Sequence, residues 1–160
     1  MNVTTFLAEN YRNMEKVRLE FSPGVNLLYG QNAQGKTNLI EAIYTLARGK
    51  SFRGASDADQ VRFGERGFSI SLSFEEKEYG ETSLTYRYFD GERKRLRGGA
   101  PITLTEMMGH FRAVLFYPEH LDLVKGAVII ALRMVLALIY GALDMLVVSA
   151  GIVVHNVLLK

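Results

Sequence analysis

A chain of 160 residues with 19 Lys and Arg against 17 Asp and Glu has room for one ordinary domain with a real core, and a net charge of +2 is too small to mark a nucleic-acid partner by bulk charge. The absence of Cys excludes a disulfide framework and a thiolate metal site, and three scattered His supply no metal-ligand spacing. Met1-Asn2-Val3-Thr4-Thr5 lacks the charged start and apolar run of a signal peptide, which points to a cytoplasmic protein.

In chain order, Val3 to Glu9 and Lys16 to Phe21 are predicted strands, the second with apolar residues alternating at Val17, Leu19 and Phe21. Ser22-Pro23-Gly24 is a turn, and Val25 to Tyr29 is a third predicted strand, apolar enough to be buried on both faces, ending at Gly30. From Lys36 to about Arg48 the spacing of Leu39, Ile40, Ile43, Tyr44, Leu46 and Ala47 is helical, with Gly49 as the stop. Gly49 to Phe63 is a loop or a short helix. Phe68, Ile70, Leu72 and Phe74 then alternate with polar residues, Thr82 to Phe89 repeats the pattern, and Asp90-Gly91 is a hairpin signal leading into Arg93-Lys94-Arg95-Leu96-Arg97. Thr103 to Phe111 is a predicted helix opened by Thr103 or Thr105, and Ala113 to Tyr117 a short strand before Pro118.

The composition breaks at residue 127. Residues 1–126 hold 33 of the 36 charges, whereas residues 127–160 are 26 apolar positions in 34 with only Arg133, Asp144 and Lys160 charged. We therefore expect a first piece of ordinary globular character and an anomalous apolar tail.

Gly30-Gln31-Asn32-Ala33-Gln34-Gly35-Lys36-Thr37 fits G-x-x-x-x-G-K-[ST] at every fixed position, between a predicted strand and a predicted helix. That order carries the chemistry: the two glycines let backbone N–H groups and a helix N-terminus meet phosphates, Lys36 supplies a point charge, and the Thr37 hydroxyl is placed to ligate Mg²⁺. The bland alternative is a chance glycine turn before a helix. Hydrolysis would further need an acid at the end of a second apolar strand. Leu136 to Asp144 is the only later candidate for such a Walker B strand, but Tyr140-Gly141 interrupts it and Met145 follows it.

Asn10-Tyr11-Arg12-Asn13, Phe21 through Gly30, the P-loop, Glu41-Ala42-Ile43-Tyr44, Gly49-Lys50-Ser51-Phe52-Arg53 and Phe116 through Gly126 together resemble the N-terminal part of the RecF family, relatives of the ABC-type heads of SMC and Rad50 proteins. The resemblance runs through nearly all of residues 1–126. It implies an α/β P-loop NTPase fold, a mixed sheet like that of an ABC ATPase head with an antiparallel β lobe, incomplete here. It also implies ATP and Mg²⁺ as cofactors, bound by Gly30, Gln31, Asn32, Ala33, Gln34, Gly35, Lys36, Thr37 and Asn38, with Arg12 at the γ-phosphate. Pro118-Glu119-His120-Leu121 falls about where ABC heads carry the Q-loop. By the same resemblance the protein binds single-stranded DNA and gapped duplex, works with RecO and RecR in DNA repair, replication and the SOS response to DNA damage, and forms an ATP-dependent homodimer. The family's signature motif and Walker B strand are not found after Gly126, so the expectation is a truncated ATPase that binds ATP without turning it over.

Arg93, Lys94, Arg95 and Arg97, following Tyr86, Tyr88 and Phe89, are either a phosphate-tracking DNA ribbon or a solvated hairpin tip. Arg53 touches DNA or nucleotide, or is a solvated loop residue. His110 and His120 are read as local hydrogen-bonding residues, and Met107-Met108 as helix core. For the tail, Met134 to Val154 is long enough to cross a bilayer, but Asp144 near its middle argues against it, so membrane association is not expected. A buried helix and a shifted reading frame or gene fusion are the other readings, and the last is preferred. The runner-up for the whole chain is a P-loop kinase or signalling NTPase with a membrane-associated tail; the Arg-rich lid of a kinase is not found.

Overall fold

A computed structural model describes residues 2–76, 80–116 and 147–149. Its contacts divide the chain into two compact units, Met1–Ala113 and Val114–Lys160.

In the first unit, β1 (Asn2–Tyr11) and β2 (Met14–Glu20) form a hairpin whose two-residue loop, Arg12-Asn13, holds Arg12 in left-handed backbone at φ 53°. Strands β3 (Gly67–Glu76), β4 (Gly80–Phe89), β5 (Glu92–Arg97) and β6 (Ala100–Pro101) complete an antiparallel sheet in the order β2-β1-β3-β4-β5-β6. The alternation read in the sequence sorts its two faces. Phe6, Ala8, Phe68, Ile70, Leu72, Phe74, Leu84 and Tyr86 are buried on one side, while Ser69, Ser71, Ser73 and Arg87 face the other way. Between β4 and β5, Asp90 and Gly91 both take positive φ, 47° and 91°, as a two-residue hairpin turn of the primed type requires.

Helix α1 (Lys36–Arg48) covers the buried face, packing on β1, β3, β4 and on a third helix, α3 (Leu104–His110). Leu39, Ile40, Ile43, Leu46 and Ala47 supply its core side, and Met107 and Phe111 meet it from α3 and its C-terminal end, with the Phe74 and Phe111 rings 5.6 Å apart. The predicted boundaries of α1 hold at both ends. The Gly49 N–H closes the helix on Thr45 O at 2.7 Å. A short α2 (Asp57–Gln60) forms within the segment read as loop or short helix. In the second unit β7 (Val114–Phe116) pairs in parallel with β8 (Val147–Ser149).

One expectation fails. Val25 to Tyr29 is not a strand but an irregular, largely exposed segment, with Val25 71% and Tyr29 87% exposed. A strand buried on both faces needs a neighbour at each edge, and among the described residues none pairs with it. Asn26 instead clamps a turn, accepting from Ser22 N at 3.0 Å and donating to Ser22 O at 2.8 Å. The Pro118 to Gly126 stretch, His120, His155 and most of the apolar tail, including Asp144, lie outside the described residues. Among the described residues no helix is long and apolar enough to cross a membrane.

Candidate functional site

The segment Gly30–Gly35 leads directly into α1 and has a backbone that most side chains would resist. Gly30, Ala33 and Gly35 lie at φ 150°, 66° and 100°. A Cβ at Gly35 would stand 2.8 Å from Asn13 Oδ1, which is held by Asn38, so Gly35 is needed for shape as well as for conformation; one at Gly30 would meet only the movable end of the exposed Gln34 side chain, so there the backbone conformation is what favours glycine. Gln31, Asn32, Ala33 and Gln34 are exposed, and Lys36 and Thr37 half-buried in the first turn of α1. The Lys36 ammonium donates to Gly30 O at 2.8 Å and Gln31 O at 2.6 Å, folding the motif's cation back over its own loop.

The helix start differs chemically from the others. Helices α2 and α3 each open with a complete capping box, Ser56 with Asp59 and Thr103 with Glu106. Helix α1 begins at Gly35 with no side-chain cap and no acidic residue in its first turn. Its first N–H groups and the positive end of its dipole therefore receive neither a side-chain acceptor nor a negative charge from the helix itself. A phosphate meets both needs at once, so the loop and helix start fit the phosphates of ATP.

Beside this cradle runs a polar network built on Glu41, whose side chain is fully buried. Arg12 grips it with two hydrogen bonds, Nε to Oε2 at 3.0 Å and Nη2 to Oε1 at 2.7 Å, and places Nη1 on Asp59 O at 2.7 Å. The hydrogen bond to Glu41 raises the Arg12 pKa above its ordinary value, fixing the charge. Ser51 Oγ and Arg53 Nη1 also donate to Glu41, at 2.5 and 3.3 Å. Arg53 Nη1 donates to Asn38 Oδ1 at 3.0 Å, Asn38 Nδ2 to Asn13 Oδ1 at 2.8 Å, and Asn13 Nδ2 to Ala33 O at 3.4 Å. Below it, buried Gln60 accepts from the Tyr11 hydroxyl at 2.8 Å and from Thr45 at 3.3 Å. Burial drives the Tyr11 phenol pKa upward, so it stays a neutral donor.

The structure thus gathers Arg12, Asn38 and Arg53 beside the P-loop, together with Asn13, Glu41, Ser51 and Gln60, which sequence reasoning did not single out as site residues. The one signal available was a Glu between Ile40 and Ala42 on the apolar side of a helix. The basic run of β5 is not one surface. Arg93, Arg95 and Arg97 pair in register with Tyr88, Tyr86 and Leu84 on the buried side of the sheet, whereas Lys94 lies opposite Arg87 on the outer side. Arg93 is hydrogen-bonded to Asp57, Arg97 to Glu76 at 3.1 Å, and Arg95 stacks over Tyr86 at 5.4 Å. Burial, and next the charge of Asp57, push the Tyr86 phenol up to about 12. His110 lies 4.0 Å from Glu76.

A family model described as an AAA domain matches residues 8–117. The DNA replication and repair protein RecF of Caldanaerobacter subterraneus subsp. tengcongensis is 37% identical over 127 residues, covering 78% of this chain and 35% of that protein. RecF of Staphylococcus haemolyticus is 42% identical over 128 residues, covering 79% of this chain and 34% of its own length. The chain therefore spans about a third of the length of these curated relatives. Among solved structures, the recombination mediator protein RecF with ATP, of the RecFOR pathway, superposes with a TM-score of 0.72 at 34% identity, covering 87% of this chain and 38% of that one. The SMC head domain of Thermotoga maritima reaches a TM-score of 0.60 at 19% identity over 76% of this chain and 49% of that one, a likeness of fold alone. The fold is the P-loop ATPase-like mixed α/β fold of these heads.

Proposed function

The chain belongs to the AAA domain family and its N-terminal part is RecF-like, and from that premise we propose that it binds ATP with Mg²⁺ at Gly30–Thr37 and serves DNA replication and repair. The observation that carries this reading is the uncapped start of α1, alone among the three described helices and preceded by a glycine loop with the right bends. Phosphate oxygens replace the missing cap, and Lys36 exchanges two neutral carbonyl acceptors for an anion. The Thr37 hydroxyl would hold Mg²⁺, and Arg12 and Asn38 stand alongside. A Mg²⁺ held there would supply positive charge against the phosphates.

The finer reading follows the relatives. The chain binds single-stranded DNA and gapped duplex with help from Arg53 and from Lys94 on the outer side of β5, works with RecO- and RecR-type partners in the cytoplasm, and pairs with a second copy when ATP is bound. The solved RecF with ATP in the RecFOR pathway supports that assignment.

The test is titration of a fluorescent ATP analogue into the full chain and into Lys36→Ala. Loss of one charge-assisted phosphate contact should weaken binding at least about tenfold. The melting temperature should stay unchanged, because Lys36 bonds only to exposed loop carbonyls. Equal binding by the two proteins would refute the cradle.

A further inference from the structure

We propose that Glu41 is a positioning residue of the nucleotide site, presenting Arg12 and Arg53 as a pair along the first turns of α1; the proposal rests on the phosphate-cradle reading above. The charge count is the first argument. One buried carboxylate is matched by the two-pronged grip of Arg12, yet a second guanidinium, Arg53, is brought to the same Oε2 at 3.3 Å. A structural ion pair needs one cation; here two guanidinium groups face one buried anion, and the exposed Asp59 carboxylate near Arg12 is the other acid in the cluster. Arg53 keeps 39% of its side chain exposed, against 20% for Arg12 and none for Glu41.

Helix geometry fixes where the two guanidinium groups stand. Glu41 lies four residues after Thr37 and three after Asn38, so the three share one strip of α1, with neighbouring Cβ atoms about 5–6 Å apart. The cations gathered on Glu41 are therefore held about one turn from the end of the helix that meets the phosphates. Asn38 ties Arg53 to this strip at 3.0 Å and reaches the P-loop backbone at Ala33 through Asn13. Ser51 fixes the other side, donating to Glu41 Oε1 and accepting the Arg53 backbone N–H at 3.0 Å. Fully buried and already accepting from three side chains, the carboxylate acts through the arginines and not by touching a ligand.

The test compares a fluorescent ATP analogue with its ADP counterpart on the full chain and on Glu41→Gln, Glu41→Asp and Ser51→Ala. Glu41→Gln keeps the side-chain size but removes the charge and turns an amide N–H₂ toward the guanidinium groups. We expect ATP-analogue binding to weaken about tenfold and ADP-analogue binding less, so that the affinity ratio falls, with part of the loss recovered in Glu41→Asp. A purely structural role would lower the melting temperature and leave the ratio of the folded protein unchanged; that result, or tighter ATP-analogue binding, overturns the proposal. If Glu41→Gln does not fold, Ser51→Ala reads the same ratio, expected to fall about threefold, and an unchanged ratio overturns it equally. If the unsubstituted chain binds neither analogue, the cradle reading itself falls and this proposal with it; if it binds and only the ratio is insensitive to Glu41 and Ser51, the positioning role alone fails.

Discussion

Gly35→Ala is the sharpest perturbation of the cradle, and its cost can be worked out. At φ 100° an L-residue sits in a backbone region that costs about 1–2 kcal/mol. The new Cβ would also stand 2.8 Å from Asn13 Oδ1, so the Asn13 side chain must move. That oxygen accepts from Asn38 Nδ2 at 2.8 Å, and breaking the bond adds about 0.5–1.5 kcal/mol. The sum is about 1.5–3.5 kcal/mol. Gly91→Ala is the control: its φ of 91° carries the same backbone cost, but nothing lies within 4 Å of a Cβ there. Urea unfolding followed by far-ultraviolet circular dichroism reads both. With a slope of about 2 kcal/mol per molar, Gly35→Ala should lower the midpoint by about 0.75–1.75 M and Gly91→Ala by about 0.5–1 M. The ATP analogue should bind only the control. Equal midpoints for the two variants, with nucleotide binding intact in both, would refute the close approach of Asn13 to the loop and the shape argument built on it.

The basic run of β5 should separate into two behaviours. Arg93→Ala strands Asp57, whose side chain is only 9% exposed, beside buried Tyr86, and should cost about 1–3 kcal/mol in a thermal melt. Lys94→Ala should leave stability alone and, if it meets DNA, reduce the salt dependence of binding by about one phosphate contact; an unchanged slope removes it from the interface. The Glu106 carboxylate accepts the Thr103 backbone N–H at 2.7 Å and its hydroxyl at 2.8 Å, which together hold its pKa below the ordinary 4.5. A lowered folded pKa means that the capping contribution is complete above the unfolded value and is lost as pH falls through the folded one. Carboxyl resonances should show Glu106 titrating below an ordinary Glu; a midpoint at or above 4.5 would refute the cap.

Helix α1 was legible to the residue because two independent signals agreed, apolar spacing inside and a glycine at the end. Strands β3 and β4 were legible because one face is buried and the other wet, which writes a period of two into the chain. Val25–Tyr29 misled for the complementary reason: apolar content describes what a strand could bury, while pairing depends on neighbours that a local pattern does not contain. Of the site, the glycine loop, Lys36 and Thr37 were readable because their chemistry is local. The Glu41 network was not, since its members come from residues 12, 13, 38, 41, 51 and 53 and meet only when the β1–β2 loop closes on α1. The β5 arginines looked like one patch because a linear run hides the alternation of a strand.

The missing cap on α1 follows from the same geometry that makes the cradle. Ser56 and Thr103 cap their helices from extended backbone, at φ −68°, ψ 165° and φ −76°, ψ 165°, where a hydroxyl can turn back onto the helix N–H groups. Gly35 holds the equivalent position at φ 100°, ψ 6°. No L-residue takes that conformation cheaply, and a side chain there would run into Asn13 before it reached the helix. A self-capped α1 would thus require a different loop, one without the bends at Gly30, Ala33 and Gly35. The chain leaves unmade a contact worth about 1 kcal/mol to a helix, and the vacant acceptor role falls to an anion from outside. Lys36 shows the same incompleteness from the other side, spending its ammonium on two loop carbonyls that a phosphate would displace.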